Sequence, residues 1–476
     1  MSVFPRVKCK INFWRKGRAL RIAGLLSPLA FAAAIAAQFV ASDPGVRTGS
    51  VDAGQPLASL SQTTGGYNFF NDGLARFQEV DDVAHGLGPR FNTNSCTSCH
   101  AQPAVGGSSP SATVYPFIGP NPESQVFNLD GAHNNLPSFI TPDGPVREAR
   151  FKFFLTSSGS LSNNPDGGVH DLFVISGRPD AGSCSIQQPN FAHNLALNNI
   201  SFRIPTPTFG AGLIENISDE TILANMRTNA SIKQSFNISG HPNRSGNDGS
   251  ITRFGWKAQN KSLAIFSGEA YNVEMGVTNE AFPNERANPD ESAGLPPNCR
   301  INPTPEDNTN MNSATDAGVP GDVAQFAMFM RLLAPPTPST TNPGGANSIS
   351  AGRQLFGAVG CALCHTPALQ TAPSKITADL SSVTANLFSD LLVHNMGSNL
   401  ADGVSQGGAG PDEFRTAPLW GLGQRIFFLH DGRTSDLLDA IRQHASSGSE
   451  ANGVIRNFSN LTPQQKQNLL NFLRSL

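Results

Sequence analysis

The chain closes with "LTPQQKQNLLNFLRSL", where Leu469, Phe472, Leu473 and Leu476 recur at i, i+3, i+4 and i+7. That spacing gathers apolar side chains on one helical face. Thr462 can N-cap, Pro463 stands at the first helical position and Gln465 completes a capping box, so the start is marked as well. A second helix is predicted to lead through "AGRQLFGAVGCALCH", residues 351–365. "GGYNFFNDGLARFQEV" (65–80) and "SDETILANMRTN" (218–229) read as further helices, and "REARFKFFL" (147–155) with "HDLFVISG" (170–177) as a strand pair. Between these segments, and again over 283–322, Gly, Pro, Asn and Ser dominate, which marks long loops. The pattern predicts a mainly α fold with long loops and minor β.

The N-terminus follows another logic. Residues 1–21 carry seven Lys or Arg and no acid, and Ile22–Ala41 follows without a charge. A basic stretch followed by an apolar one with small residues reads as an export signal over 1–42, cleaved after Ala36 or Ser42. An uncleaved anchor is the alternative, since about 20 apolar residues just span a bilayer; Pro28 and the Ala-rich tail argue against it. The expected location is periplasmic, with no stable membrane insertion after cleavage. Pro, Gly and Asn crowd 335–348, "PPTPSTTNPGGANS", which reads as a linker between domains at 43–334 and 349–476.

Without residues 1–42, 26 Lys or Arg face 36 Asp or Glu, a net charge of −10. That balance disfavours nucleic acid and anionic membrane surfaces as partners. Six of the seven cysteines lie in this part, four of them in two copies of one pattern, Cys96-x-x-Cys99-His100 and Cys361-x-x-Cys364-His365. A zinc site needs four ligands at set spacing, and 265 residues separate the copies. A redox dithiol needs no His after its second Cys. For haem c both thiols bond the porphyrin vinyl groups and the adjacent His ligates the iron, so the pattern indicates two covalent haems. Each attachment loop calls for a leading and a trailing helix, which makes two cytochrome c-like haem domains, the N-terminal one enlarged by insertions. Cys184 and Cys299 are left as a candidate disulfide in an oxidising compartment; Cys9 precedes the cleavage site.

The segments "GLGPRFNTNSCTSCH", "FRIPTPTFGAGLIE", "RFGWKA", "EMGVT", "LFGAVGCALCHTP", "LFSDLLVHNMG", "RTAPLWGLG" and "LHDGRTSDLLDAIRQH" resemble the dihaem oxidoreductases also known as thiol oxidoreductases. Those are distant relatives of the bacterial dihaem cytochrome c peroxidases. The resemblance implies an open N-terminal haem under one carboxylate, Glu274, and a Trp between the haems, Trp256. Glu215 ranks below Glu274, and Arg203 and Pro205 are expected around the distal pocket. It also implies a sixth ligand for the C-terminal haem fourteen residues after the His of the His430-Asp431-Gly432 turn, which is His444. Met396 is the alternative ligand, His394 is a weaker candidate, and His430 is expected to hold the turn and the haem edge.

Two departures limit what carries over. The Gln that the relatives place ten residues before the distal Glu is missing around Ala264–Phe266. Arg425 stands where they have a Ca²⁺-binding Thr, which makes an inter-haem Ca²⁺ doubtful. The expected function is peroxidase-like: reduction of H₂O₂ or a related small-molecule oxidant at the His100 haem. Electrons come from a redox partner, a small cytochrome or another donor, through the C-terminal haem. A dihaem oxygenase is one alternative. A plain electron-transfer cytochrome, with His133 or His170 over the first haem, is the other.

Overall fold

The C-terminal helix forms as its pattern predicts, over Pro463–Ser475. The Thr462 side chain accepts from the Gln465 amide, and the Gln465 side chain accepts from the Thr462 amide. Leu469, Phe472, Leu473 and Leu476 are all buried. They pack against helix Ala346–Val359, which crosses at Gly352, where a Cβ would come within 2.0 Å of the Asn468 carbonyl oxygen. Only a residue without a side chain permits that approach.

The same construction recurs in the N-terminal half. Helix Gly65–Phe77 crosses helix Asp322–Leu332 at Gly73, whose Cβ would lie 2.5 Å from the Gln325 carbonyl oxygen. Phe77 packs on Phe329 with ring centroids 4.9 Å apart, as Phe356 packs on Phe472 at 5.5 Å. In each pair the Phe of the first helix also reaches the His of the nearby C-x-x-C-H segment: Phe77 to His100 at 5.9 Å, Phe356 to His365 at 6.4 Å. Helix Asp322–Leu332 was not among the predicted elements, although Val323, Phe326, Ala327 and Met330 fall at helical spacing.

This computed structural model describes residues 39–48, 52–60, 65–110, 112–114, 117–288, 294–300 and 321–476. The expected export segment lies outside them up to residue 38, and most of the loop 289–320 does as well. Residues Val40–Leu476 form one compact unit. Helix accounts for 34% and strand for 11%, so the mainly α expectation with minor β holds. Among the described residues, no helix is long and apolar enough to cross a membrane.

The two expected strand segments do form strands, but they meet only at one end, where the His170 amide donates to the Ala149 carbonyl at 2.9 Å beside an antiparallel bridge between Arg150 and Val169; their main partners lie elsewhere. Glu148–Phe151 pairs antiparallel with Ile200–Arg203, turning Ala149 and Phe151 into the core. Phe153–Leu155 turns back through a loop containing Gly159 and pairs with Leu161–Pro165, and Phe173–Val174 pairs with Arg90–Phe91. The Gly-containing turn after Leu155 makes a local hairpin, which closes less chain than the expected pairing and so costs less entropy.

The largest apolar cluster joins helices Gly65–Phe77, Leu263–Met275 and Asp322–Leu332, and it also takes in Leu387, Leu391, Leu392 and Trp420 from beyond the predicted linker. Residues 335–345 form neither helix nor strand and turn over 342–344, and the next helix begins at Ala346, inside the predicted linker. A second cluster lies around Phe356, Leu469 and Phe472, and Ala41 belongs to it. There the segment 41–47 straps onto the C-terminal helix. Asp43 accepts from Arg474 Nε and Nη2 at 2.7 and 2.6 Å and from the Leu437 amide at 2.7 Å, and the Arg47 amide donates to the Gly423 carbonyl at 2.7 Å. Cys184 and Cys299, 115 residues apart, form a disulfide.

Candidate functional site

Each C-x-x-C-H segment opens onto its own cavity. The first is lined by Cys96, Cys99, His100, Glu123, Glu148, Arg150, Arg203, Pro205, Trp256 and Glu274, among others, and leaves about 1080 Å³ of atom-free space, its open mouth included. The second is lined by Cys361, Cys364, His365, His394, Met396, His430 and His444 and leaves about 1350 Å³. Cys96, Cys99, Cys361 and Cys364 are unpaired thiols.

The histidines sort themselves by their hydrogen bonds. His100 Nδ1 lies 2.9 Å from the Gly107 carbonyl oxygen, His365 Nδ1 3.0 Å from that of Phe388, and His444 Nδ1 2.8 Å from that of Ala440. A carbonyl only accepts, so each Nδ1 carries the proton and each Nε2 keeps its lone pair. An imidazole held in one tautomer by a backbone carbonyl is the arrangement of a metal-ligating His. Burial lowers all three imidazole pKa values, His365 to about 4 with a further contribution from neighbouring His444. Each therefore stays neutral and able to ligate.

His394 is different. Its Nδ1 faces Glu450 at 2.7 Å and its Nε2 faces Asp390 at 3.0 Å, so neither nitrogen is left for iron. His430 stacks on Phe414 at 4.3 Å and stands edge-on to Trp256 at 6.4 Å, while its carbonyl accepts from Ile204. Met396 is partly buried in the same wall.

In the first cavity His100 is the one histidine in the wall, among the described residues. His170 stacks on Phe151 at 3.7 Å and pairs with Asp166 at 2.9 Å, and His133 is exposed beside Gly177; neither lines the cavity. In place of a second imidazole stands a group of carboxylates. Glu274 sits in the last turn of helix Leu263–Met275, which Gly276 ends in the left-handed conformation. The Asn92 amide docks that turn by donating to the Glu274 carbonyl at 2.7 Å, and Asn92 Nδ2 donates to Glu274 Oε2 at 2.8 Å. Glu274 is half-buried and lines the cavity. Burial, then the charge of neighbouring Glu148, raises its pKa to about 8. Burial works on Glu148 in the same sense, but Arg150 and Arg203 outweigh it and hold that carboxyl below its ordinary value. Burial also pushes Glu123 well above the carboxylate range.

Sequence reasoning placed Glu274, Arg203 and Pro205 in this wall and missed Glu123, Glu148 and Arg150. The strand Glu148–Phe151 carried a signal: Glu148 and Arg150 alternate with Ala149 and Phe151, which puts both charged residues on one face. Glu215, the lower-ranked acid, is spent on Arg331 at 2.6 Å and on the Leu263 amide.

Trp256 lines both cavities. Its Nε1 donates to the Ile204 carbonyl at 2.8 Å, and its own carbonyl accepts from the Arg415 amide at 2.8 Å. Next to it, fully buried Lys257 donates to the Gly410 and Glu413 carbonyls, both at 2.8 Å, and pairs with Asp402 at 3.1 Å, which fixes the turn.

Two thiols, a neutral imidazole with a free Nε2 and a broad, mostly apolar cavity suit a haem in each half. Chemically the two sites diverge: one offers a second imidazole, the other acid–base groups. No curated protein matches the chain. A structure of Kuenenia stuttgartiensis hydrazine synthase, pressurised with 20 bar xenon, aligns over 97% of this chain and 100% of its own at 12% identity and a TM-score of 0.33, too low to bear on the fold. The family described as "Di-haem oxidoreductase, putative peroxidase" matches residues 152–476, more than half of the chain, and to that family the chain belongs.

Proposed function

We propose that the chain is an exported dihaem c oxidoreductase that reduces H₂O₂, or a related oxidant, in the first cavity. Electrons arrive through the haem of the second cavity and Trp256. One observation carries the reading: the first cavity pairs a lone His100 with the carboxylates of Glu148 and Glu274, while the second offers His365 and His444 together. Family membership brings haem as the cofactor, and its attachment through Cys96, Cys99, Cys361 and Cys364 is part of the proposal. So are two cytochrome c-like domains, supported by the repeated helix crossings at Gly73 and Gly352. The Cys184–Cys299 disulfide suits an oxidising compartment and supports export to the periplasm.

Bound haem would supply the electrons and an iron to which the oxidant binds. The protein moves the protons. Cleavage of a peroxide O–O bond needs a proton taken from the near oxygen and one given to the leaving oxygen, a role worth about 10²–10⁴ in rate. At neutral pH ionised Glu148 accepts and protonated Glu274 donates, so the pair can perform both halves. Arg150 holds the Glu148 carboxylate and Asn92 orients Glu274. Trp256, braced by Ile204 and the Lys257 turn, lies in the wall common to both cavities and serves as a stepping stone.

Steady turnover of H₂O₂ with a reduced small cytochrome or dye tests the proposal, together with a spectrum of the half-reduced protein. A high-spin signal from one haem and a low-spin signal from the other are expected. Absence of any reaction with H₂O₂ in every redox state would overturn it. Two low-spin haems throughout would favour a plain electron-transfer cytochrome.

A further inference from the structure

Two guanidinium groups in the wall of the second cavity have no counter-charge. Arg415 ends the strand Glu413–Arg415 and Arg425 follows the turn Leu422–Gln424; each is 8% exposed. Arg415 Nη1 donates to the Arg253 carbonyl at 2.9 Å, but its Nε has no partner, and Arg425 Nε and Nη2 have none either. Burial lowers both pKa values to about 10 with no carboxylate opposing it, so both groups remain charged at neutral pH. A buried charge is costly unless an opposite charge meets it. No charge among the described residues does.

Their position indicates what does. Arg415 and Arg425 line a third, smaller hollow as well as the second cavity. That hollow is lined by neither Cys361 nor Cys364, and it shares Gly255, Trp256, Phe266 and Met330 with the first cavity. The guanidiniums therefore stand on the side of the second cavity that faces the first, apart from the thiols. A haem carries its two vinyl substituents on one edge and its two carboxylate side chains on another. With the vinyl edge fixed at Cys361 and Cys364, the carboxylates are left for the far side.

We propose that Arg415 and Arg425 bind the carboxylate side chains of the haem in the second cavity and turn its anionic edge toward the junction with the first. A guanidinium fork matches a carboxylate in two parallel hydrogen bonds. Its fixed positive charge also favours ferrous over ferric iron and so holds the potential of this haem up. The inference needs a haem in the second cavity and is independent of the peroxide chemistry.

The test uses purified holoprotein and spectroelectrochemical titration of the low-spin haem, with no oxidant present. Arg425→Gln and Arg415→Gln are each expected to lower its midpoint potential, the double variant further, while Arg425→Lys stays nearer the parent. A midpoint unchanged in both Gln variants would overturn the proposal. Should a Gln variant load poorly, haem content per chain decides: loss with Gln and recovery with Lys supports a carboxylate partner, and equal loss with both counts against it.

Discussion

At neutral pH the Glu148–Glu274 pair holds one proton between two carboxyl groups, and Glu148→Gln tests whether that sharing is real. The Glu274 pKa is raised from 4.5 to about 8, with burial the larger cause and the Glu148 charge the next. Each unit by which the pKa falls when the Glu148 charge is removed measures about 1.4 kcal/mol of that repulsion. Gln removes the charge, can donate to the Glu274 carboxylate, and releases Arg150 from its partner; all three changes favour ionised Glu274. Its apparent pKa should fall below the parent value of about 8. In the proposed reaction protonated Glu274 is the donor, so activity should decline as pH rises through its pKa, and the alkaline limb should move to lower pH in the variant. Loss of the acceptor should also cut the rate by about 10²-fold or more. Stopped-flow reaction of peroxide with the half-reduced protein, repeated across pH, reads both effects. A limb that stays in place or moves to higher pH would refute the shared proton. Stability follows the same sign. The folded pKa exceeds the unfolded one, so this stabilising contribution is full below about 4.5 and is lost as pH rises through about 8.

His444→Gly should convert the low-spin haem to a high-spin or water-bound form, and His444→Met should keep it low-spin at a higher potential, since thioether favours ferrous iron. Met396→Leu should change neither property; loss of the low-spin signal in that variant with its retention in His444→Gly would reassign the ligand. Trp256→Phe should slow electron transfer between the haems in a rapid-mixing experiment and leave both haem spectra as they were; an unchanged rate removes Trp256 from the path. Asp43→Asn should destabilise the fold by about 3–5 kcal/mol, because it leaves Arg474 buried and unpaired. Burial raises the Asp43 pKa, but Arg474 outweighs it and holds the group below 3.8, so the contribution is present above that value and is lost as pH falls through the lower folded one. Denaturant titrations at several pH values measure both.

What could be read from the sequence was what is local. The capping box, the stripe from Leu469 to Leu476 and the two C-x-x-C-H segments each lie within a dozen or so residues, and each leaves its mark there. His444 and Glu274 needed resemblance to point to them, and the structure places both in cavity walls. Helix Leu263–Met275 escaped detection because its buried residues include Ser267, Gly268 and Asn272 beside Leu263, Tyr271 and Met275, so no apolar stripe marks it. The partnership of Glu148 with Glu274 spans 126 residues and two kinds of element. The main strand partners were missed for a related reason: the alternation of "REARFKFFL" shows which side chains face inward but not which distant strand lies alongside.

The strap that joins Asp43 to Arg474 closes the chain on itself across 431 residues. A chain delivered from its N-terminus supplies Ala41, Asp43 and Arg47 before the helix Pro463–Ser475. The earlier residues must therefore wait, with their contacts unmade, until Arg474 has arrived. Gly423 and Leu437, which complete the seat of the strap, also come late. Completion of this corner thus depends on residues 431 positions apart in the chain. A variant lacking residues 463–476 would keep the Cys96 and Cys361 segments yet leave Asp43 without its arginine and Ala41 without its apolar seat.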